Sequence, residues 1–128
     1  MEIKKILIVD DEQIIRNLFK RLLKDYEVTT VSSGEEAVEI YKKKVFDLVF
    51  IDVVFPTKMD GVETFVELKK INPDIIAVMM TGFEVHNKIG TAMEKGAFDY
   101  IYKPFSVSEV RGLFNKLEKK ENLKKIDE

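Results

Sequence analysis

The chain has no cysteine, no tryptophan and a single histidine, His86, among its 128 residues. Without cysteine there is neither a disulfide framework nor a thiolate metal site. Neither sign of charge prevails: 21 Lys plus Arg stand against 23 Asp plus Glu, for a net charge of −2. The broad basic face that non-specific nucleic-acid binding needs is therefore missing. Long apolar runs are missing too. Residues 1–5 are charged and lead into only four apolar residues, 6–9, and no other stretch approaches the length of a membrane span. These absences leave a one-domain chain, long enough to bury its own core, with a cytoplasmic location expected.

Two kinds of segment alternate along that chain. Residues 6–9, 28–31, 48–51, 75–80 and 100–102 are short, apolar and rich in β-branched side chains. They are too continuously apolar for half-exposed strands, so the reading is a parallel sheet with both faces covered. Between them lie stripes of helical spacing: Ile14, Ile15, Leu18, Phe19, Leu22 and Leu23; Ala37, Val38 and Tyr41; Val62, Phe65, Val66 and Leu68; Val85, Ile89, Ala92 and Met93; and Val107, Val110, Leu113, Phe114 and Leu117. Ser32 with Glu35, and Ser106 with Glu109, fit capping boxes. Gly96 suits a helix C-cap, Pro73 a helix stop, and Gly90 weakens the fourth helix. Five strand–helix units in strict alternation predict an α/β fold, a parallel sheet flanked by helices and joined by right-handed crossovers. Residues 1–118 form this domain, and 119–128 read as a charged extension of the last helix or a tail. His86, early in the fourth helix, reads as a surface residue.

In open parallel sheets, ligands bind beyond the carboxyl ends of the strands. The polar residues that follow the apolar runs are Asp10, Asp11 and Glu12 after the first, Asp52 after the third, Thr81 after the fourth and Lys103 after the fifth. One sheet edge thus carries three aspartates, a hydroxyl and an ammonium. Taken singly, Asp11 suits a helix N-cap, Asp52 a turn, Thr81 a loop and Lys103 a solvated position; jointly they converge. Each like-charge pair at ~4 Å costs about 4 kcal/mol at an effective dielectric near 20, so either a carboxylate is protonated or a cation binds. All-oxygen ligands select a hard cation such as Mg²⁺, with Mn²⁺ as a substitute, held by Asp10, Asp11 and Asp52. Around it, Asp52 can act as a carboxylate nucleophile toward phosphorus, Thr81 as a hydrogen-bond donor and Lys103 as a point charge to phosphoryl oxygens.

The stretches ILIVDDE (6–12), LVFIDVVFP (48–56), MDG (59–61), MMTG (79–82) and GAFDYIYKPF (96–105) resemble the receiver domain of bacterial two-component response regulators over about residues 4–118. The last stretch is most similar to receivers of nitrogen-regulator type. The resemblance implies a flavodoxin-like receiver fold with strand order 2-1-3-4-5. It further implies that Asp52 is the phosphoacceptor, that Asp11 is a direct Mg²⁺ ligand with Asp10 beside it, and that the main-chain carbonyl of Val54 is the third protein ligand. Thr81 becomes the switch hydroxyl, Tyr100 the aromatic switch residue, Lys103 the phosphoryl contact, and the Lys103–Pro104 bond cis. Two departures stand out. One extra residue lies between Pro56 and Met59, and Val54 and Phe83 are apolar where the family tunes water access, so they are expected to shield the phosphoryl group.

The function implied is a phosphoacceptor switch, not a turnover enzyme. A histidine kinase or phosphotransfer protein is the implied donor, and an unnamed protein the target. The face of the fourth helix, fifth strand and fifth helix is the expected contact, including for a homodimer; direct nucleic-acid and membrane partners are not expected. One alternative is the receiver portion of a longer transcriptional regulator. Another is an aspartyl-phosphate hydrolase, which would need a second aspartate where Val54 stands. A flavin carrier is disfavoured by the acidic residues Asp10, Asp11 and Glu12, which would repel the cofactor phosphate.

Overall fold

The computed structural model describes residues 2–82 and 86–127. Strands and helices alternate as β1 (Lys5–Val9), α1 (Gln13–Leu22), β2 (Glu27–Val31), α2 (Gly34–Tyr41), β3 (Leu48–Asp52), α3 (Gly61–Ile71), β4 (Ala77–Thr81), α4 (His86–Glu94), β5 (Asp99–Tyr102) and α5 (Val107–Asp127). All strand pairs are parallel, in the order β2-β1-β3-β4-β5. The order reverses direction between β1 and β3, and there the tips of adjacent strands open a crevice.

Side-chain alternation sends each strand's apolar residues to two separate cores. Leu7, Val9, Val49, Ile51, Ala77 and Met79 face α2, α3 and α4, where Ala37, Phe65, Leu68 and Ile89 meet them. Ile6, Ile8, Leu48, Phe50, Val78 and Met80 face α1 and α5, where Phe19, Leu23, Val110 and Leu113 meet them. Phe19 is fully buried, with its ring 4.8 Å from Phe50 and 5.2 Å from Phe105. That cluster seats the segment after the cis Lys103–Pro104 bond against β3.

Several expectations require correction. Burial on both faces holds for β3 and β4 but not for β2, whose residues are partly or fully exposed, nor for β5, where only Ile101 is buried, because both are edge strands. The fourth strand begins at Ala77, after two buried residues, Ile75 and Ile76. Ile14 belongs to the apolar stripe of α1 by spacing but is 78% exposed, and Met93 and Val107 also stand open to solvent. They lie in or beside terminal turns, where helical spacing alone does not say whether a neighbour covers the residue. Val85 and Phe83 lie outside the described residues. The N-cap of α2 is Ser33, not Ser32: Ser33 Oγ accepts from the Glu36 amide, and Ser32 Oγ donates to the Glu36 carboxylate. The Ser106–Glu109 box is present, and Gly96 carries a positive φ of 103° after α4. A further capping box, Asp60 with Glu63, starts α3, and Asp60 also pairs with Lys88 of α4 at 3.2 Å. Among the described residues, no helix is long and apolar enough to cross a membrane.

Candidate phosphoacceptor and metal site

Asp10 follows β1 directly. Its amide donates to the Val31 carbonyl at 3.1 Å, which ties the strand tip to β2. Its side chain is fully buried, and Oδ1 accepts from the Glu12 amide at 2.8 Å. Arg16, one turn into α1, donates to the Asp10 carbonyl at 2.8 Å. Asp52 ends β3 almost wholly buried, and its Oδ1 accepts from the Val54 amide at 3.3 Å. Asp11 is exposed at the rim. One carboxylate oxygen from each of Asp10, Asp11 and Asp52 falls within 4.8 Å of the others.

Lys103 crosses to this cluster from β5. Its amide donates to the Thr81 carbonyl at 2.7 Å, which fixes the base of the side chain. Its Nζ lies 2.7 Å from Asp10 Oδ2, 3.1 Å from Asp52 Oδ2 and 3.1 Å from Glu12 Oε1. The contact with Asp10 is close but off the hydrogen-bond direction, so the buried Asp10 Oδ2 has a charge beside it and no aligned donor. Thr81 ends β4 in full burial, and its hydroxyl donates to the Gly82 carbonyl at 2.9 Å. Tyr100 sits half-buried on β5 opposite Met79, its ring edge-on to Tyr102 at 5.5 Å. Val54 is 46% exposed beside the site.

The electrostatics follow from burial and crowding. Burial, then the charge of Asp10, pushes the Asp52 carboxyl from 3.8 up to about 6. Burial also raises Asp10, against the opposing pull of Lys103 and the Glu12 amide. Burial works against the charge on Lys103, but the contact with Asp10 and the charges of Asp52 and Asp10 outweigh it and hold the ammonium well above its usual range. One ammonium thus meets two buried carboxylates that repel each other. An unaligned buried oxygen among all-oxygen donors is what a hard divalent cation satisfies, so the residues fit Mg²⁺.

Asp10, Asp11, Asp52 and Lys103, expected at one edge, do lie there: the three carboxylates cluster, and Lys103 contacts Asp10 and Asp52. Thr81 shares that edge, but its hydroxyl is turned to Gly82. The contact of Glu12 with Lys103 was missed. Its only signal was an unusual residue type at the start of α1, where Ser, Thr, Asp and Asn are the common N-caps.

Comparison with known proteins agrees with this geometry. The response regulator receiver domain family matches residues 6–115. The probable transcriptional regulator ycf27 of Porphyra purpurea is 44% identical over 110 residues, covering 84% of this chain and 44% of that protein. The chain thus spans under half the length of that curated relative. The chemotaxis protein CheY of Halobacterium salinarum is 37% identical over 109 residues, covering 84% of this chain and 90% of that one. The crystal structure of a response regulator receiver domain protein from Clostridium thermocellum superposes with a TM-score of 0.85 at 32% identity, covering 94% of this chain and 98% of that one. Five parallel strands in the order 2-1-3-4-5, an aspartate cluster at their tips and a family match across most of its length converge on one conclusion: the chain belongs to the receiver domains of response regulators, a family of signalling switches.

Proposed function

We propose that Asp52 accepts a phosphoryl group and that the added charge changes which protein the domain binds. One observation carries this reading: two buried, mutually repelling carboxylates, Asp10 and Asp52, with the exposed Asp11 beside them, share a single ammonium, Lys103, delivered from another strand tip to the two buried ones. Asp10, Asp11 and Asp52, with the main-chain carbonyl of Val54, would hold Mg²⁺. When bound, the ion neutralises charge on a phosphoryl oxygen. The Asp52 carboxylate attacks phosphorus as the donor's bond to phosphorus breaks, a P–N bond where the donor is the phosphohistidine of a kinase or phosphotransfer protein. Lys103 moves from Asp52 to the new phosphoryl oxygens. Thr81 rotates its hydroxyl from Gly82 to the same group, and Tyr100 follows into the space released. The α4–β5–α5 face then offers a changed surface to a target protein or a second copy.

The reaction is read as a switch and not as turnover, because Val54 cannot serve as an acid or base two residues after Asp52. Residues 1–118 would act as the receiver, with 119–128 as its charged extension, in the cytoplasm. A receiver within a longer transcriptional regulator is the second reading, favoured by the ycf27 relatives. The test is incubation with acetyl phosphate and Mg²⁺. A hydroxylamine-sensitive phosphoryl adduct is expected in the wild type, absent with chelator and absent in Asp52→Asn. An equal adduct in Asp52→Asn would refute the assignment.

Ile14, exposed in the first turn of α1 three residues after Asp11, would supply the donor protein with an apolar contact. Ile14→Asp is expected to slow transfer from a phosphorylated kinase about tenfold or more, while uptake from acetyl phosphate stays unchanged. Equal slowing with both donors would show that Ile14 acts on the site itself.

A further inference from the structure

Glu12 is the N-cap of α1, with an extended backbone (φ −85°, ψ 115°), yet its side chain makes no cap hydrogen bond. A residue that forgoes its local role deserves a functional account, because such departures cluster where function overrides stability. The carboxylate instead reaches the Lys103 ammonium, 91 residues away in sequence. Lys103 therefore touches three carboxylates. The side chains of Asp10 and Asp52 are nearly or fully buried, whereas that of Glu12 is 58% exposed.

The three contacts differ in what the proposed chemistry asks of them. A cation held by Asp10 and Asp52 would compete with the ammonium for these two carboxylates, and the two positive charges would repel. The lysine amide is tied to the Thr81 carbonyl, so the head group can only swing locally. Glu12 is the one contact that remains when the two aspartates turn to the cation. Because that carboxylate is solvated, the pair is weak and readily given up to a stronger anion.

We propose that Glu12 is a positioning residue that holds the Lys103 ammonium at the mouth of the site while a cation occupies Asp10 and Asp52, and releases it to the phosphoryl group. The inference rests on the reading under Proposed function. It makes opposite predictions for cation and anion. Without Glu12, Lys103 stays on the two aspartates and cation binding weakens. Once saturating cation has taken up the two aspartates, an incoming phosphoryl mimic meets a lysine with no competing partner and binds more tightly.

The experiment is calorimetric titration of the full chain with Mg²⁺, and then with beryllium fluoride at saturating Mg²⁺. The proteins are the wild type, Glu12→Gln, Lys103→Met and the double variant. Glu12→Gln is expected to weaken Mg²⁺ about two- to fivefold and to tighten beryllium fluoride by a similar factor. In the Lys103→Met background, Glu12→Gln should leave Mg²⁺ affinity unchanged, because the lysine that carries the effect is gone. Equal weakening in both backgrounds would show a general field effect and overturn the positioning role. Weakening of both ligands would show structural damage and overturn it as well. Wild-type affinities in Glu12→Gln would remove this inference alone, whereas a wild type that binds no Mg²⁺ would remove the phosphoacceptor reading with it.

Discussion

Gly61→Ala should destabilise the domain by about 3 kcal/mol or more, lower Tm by about 10 °C, and disable phosphoryl uptake. Gly61 opens α3, and its amide donates to the Val53 carbonyl at 2.8 Å. A Cβ on that residue would lie 1.9 Å from the Asp52 carbonyl oxygen and 2.6 Å from Val53 Cα. Both are main-chain atoms at the tip of β3, so no side chain can rotate away. Either α3 retreats from the sheet, opening the core around Phe65, or the β3 tip moves and carries the Asp52 carboxylate off Lys103. The control is Gly90→Ala, in α4, where an added Cβ meets nothing within 4 Å. That change should stabilise by up to about 1 kcal/mol through helix propensity. Thermal melts of both variants check the pair. A near-neutral Gly61→Ala would show that the β3 tip tolerates displacement.

Asp52→Asn should abolish phosphoryl uptake and, without Mg²⁺ at pH 7, make the protein more stable. The folded chain keeps a proton on Asp52 up to about pH 6, against 3.8 for an ordinary aspartate. Below about pH 4 the group is protonated in both states and costs nothing. As pH rises toward 6 the unfolded chain releases the proton first, so stability is lost progressively; above 6 the loss is complete. A rise from 3.8 to about 6 corresponds to about 3 kcal/mol. The raised Lys103 partly offsets this, because its contribution holds throughout this window and Asp52 is one of its partners. A gain of about 1–3 kcal/mol is therefore expected at pH 7, shrinking toward pH 4. Mg²⁺ should raise the wild-type Tm at pH 7 and raise that of the Asn variant less. Melts across pH 4–7, with and without Mg²⁺, check the sign. A variant less stable than the wild type at pH 7 would mean that Lys103 outweighs the repulsion.

Much of this was legible before the structure, and the reasons are physical. Strands buried on both faces leave short, continuous apolar runs, so β1, β3 and β4 were readable to within a residue or two. The acidic edge was readable because every strand in a parallel sheet points its tip the same way. Positions governed by neighbours were not readable. Ile14 keeps the helical spacing of α1 but has nothing packed over it. Ser32 and Ser33 both offer a hydroxyl before α2, and only the backbone decides which one caps. β2 lies at the sheet edge, and its two threonines, Thr29 and Thr30, were the sole hint that it is less buried than β1 and β3. Glu12 pairs with a residue from the opposite end of the chain, which no local pattern reveals.

The most direct measurement is to locate the phosphoryl group itself. The protein would be phosphorylated with acetyl phosphate and Mg²⁺, reduced with borohydride to convert an acyl phosphate to homoserine, and mapped by peptide mass spectrometry. The account predicts homoserine at position 52 and nowhere else. Homoserine at position 10 or 11, or an unmodified Asp52 in protein that has taken up phosphate, would contradict it.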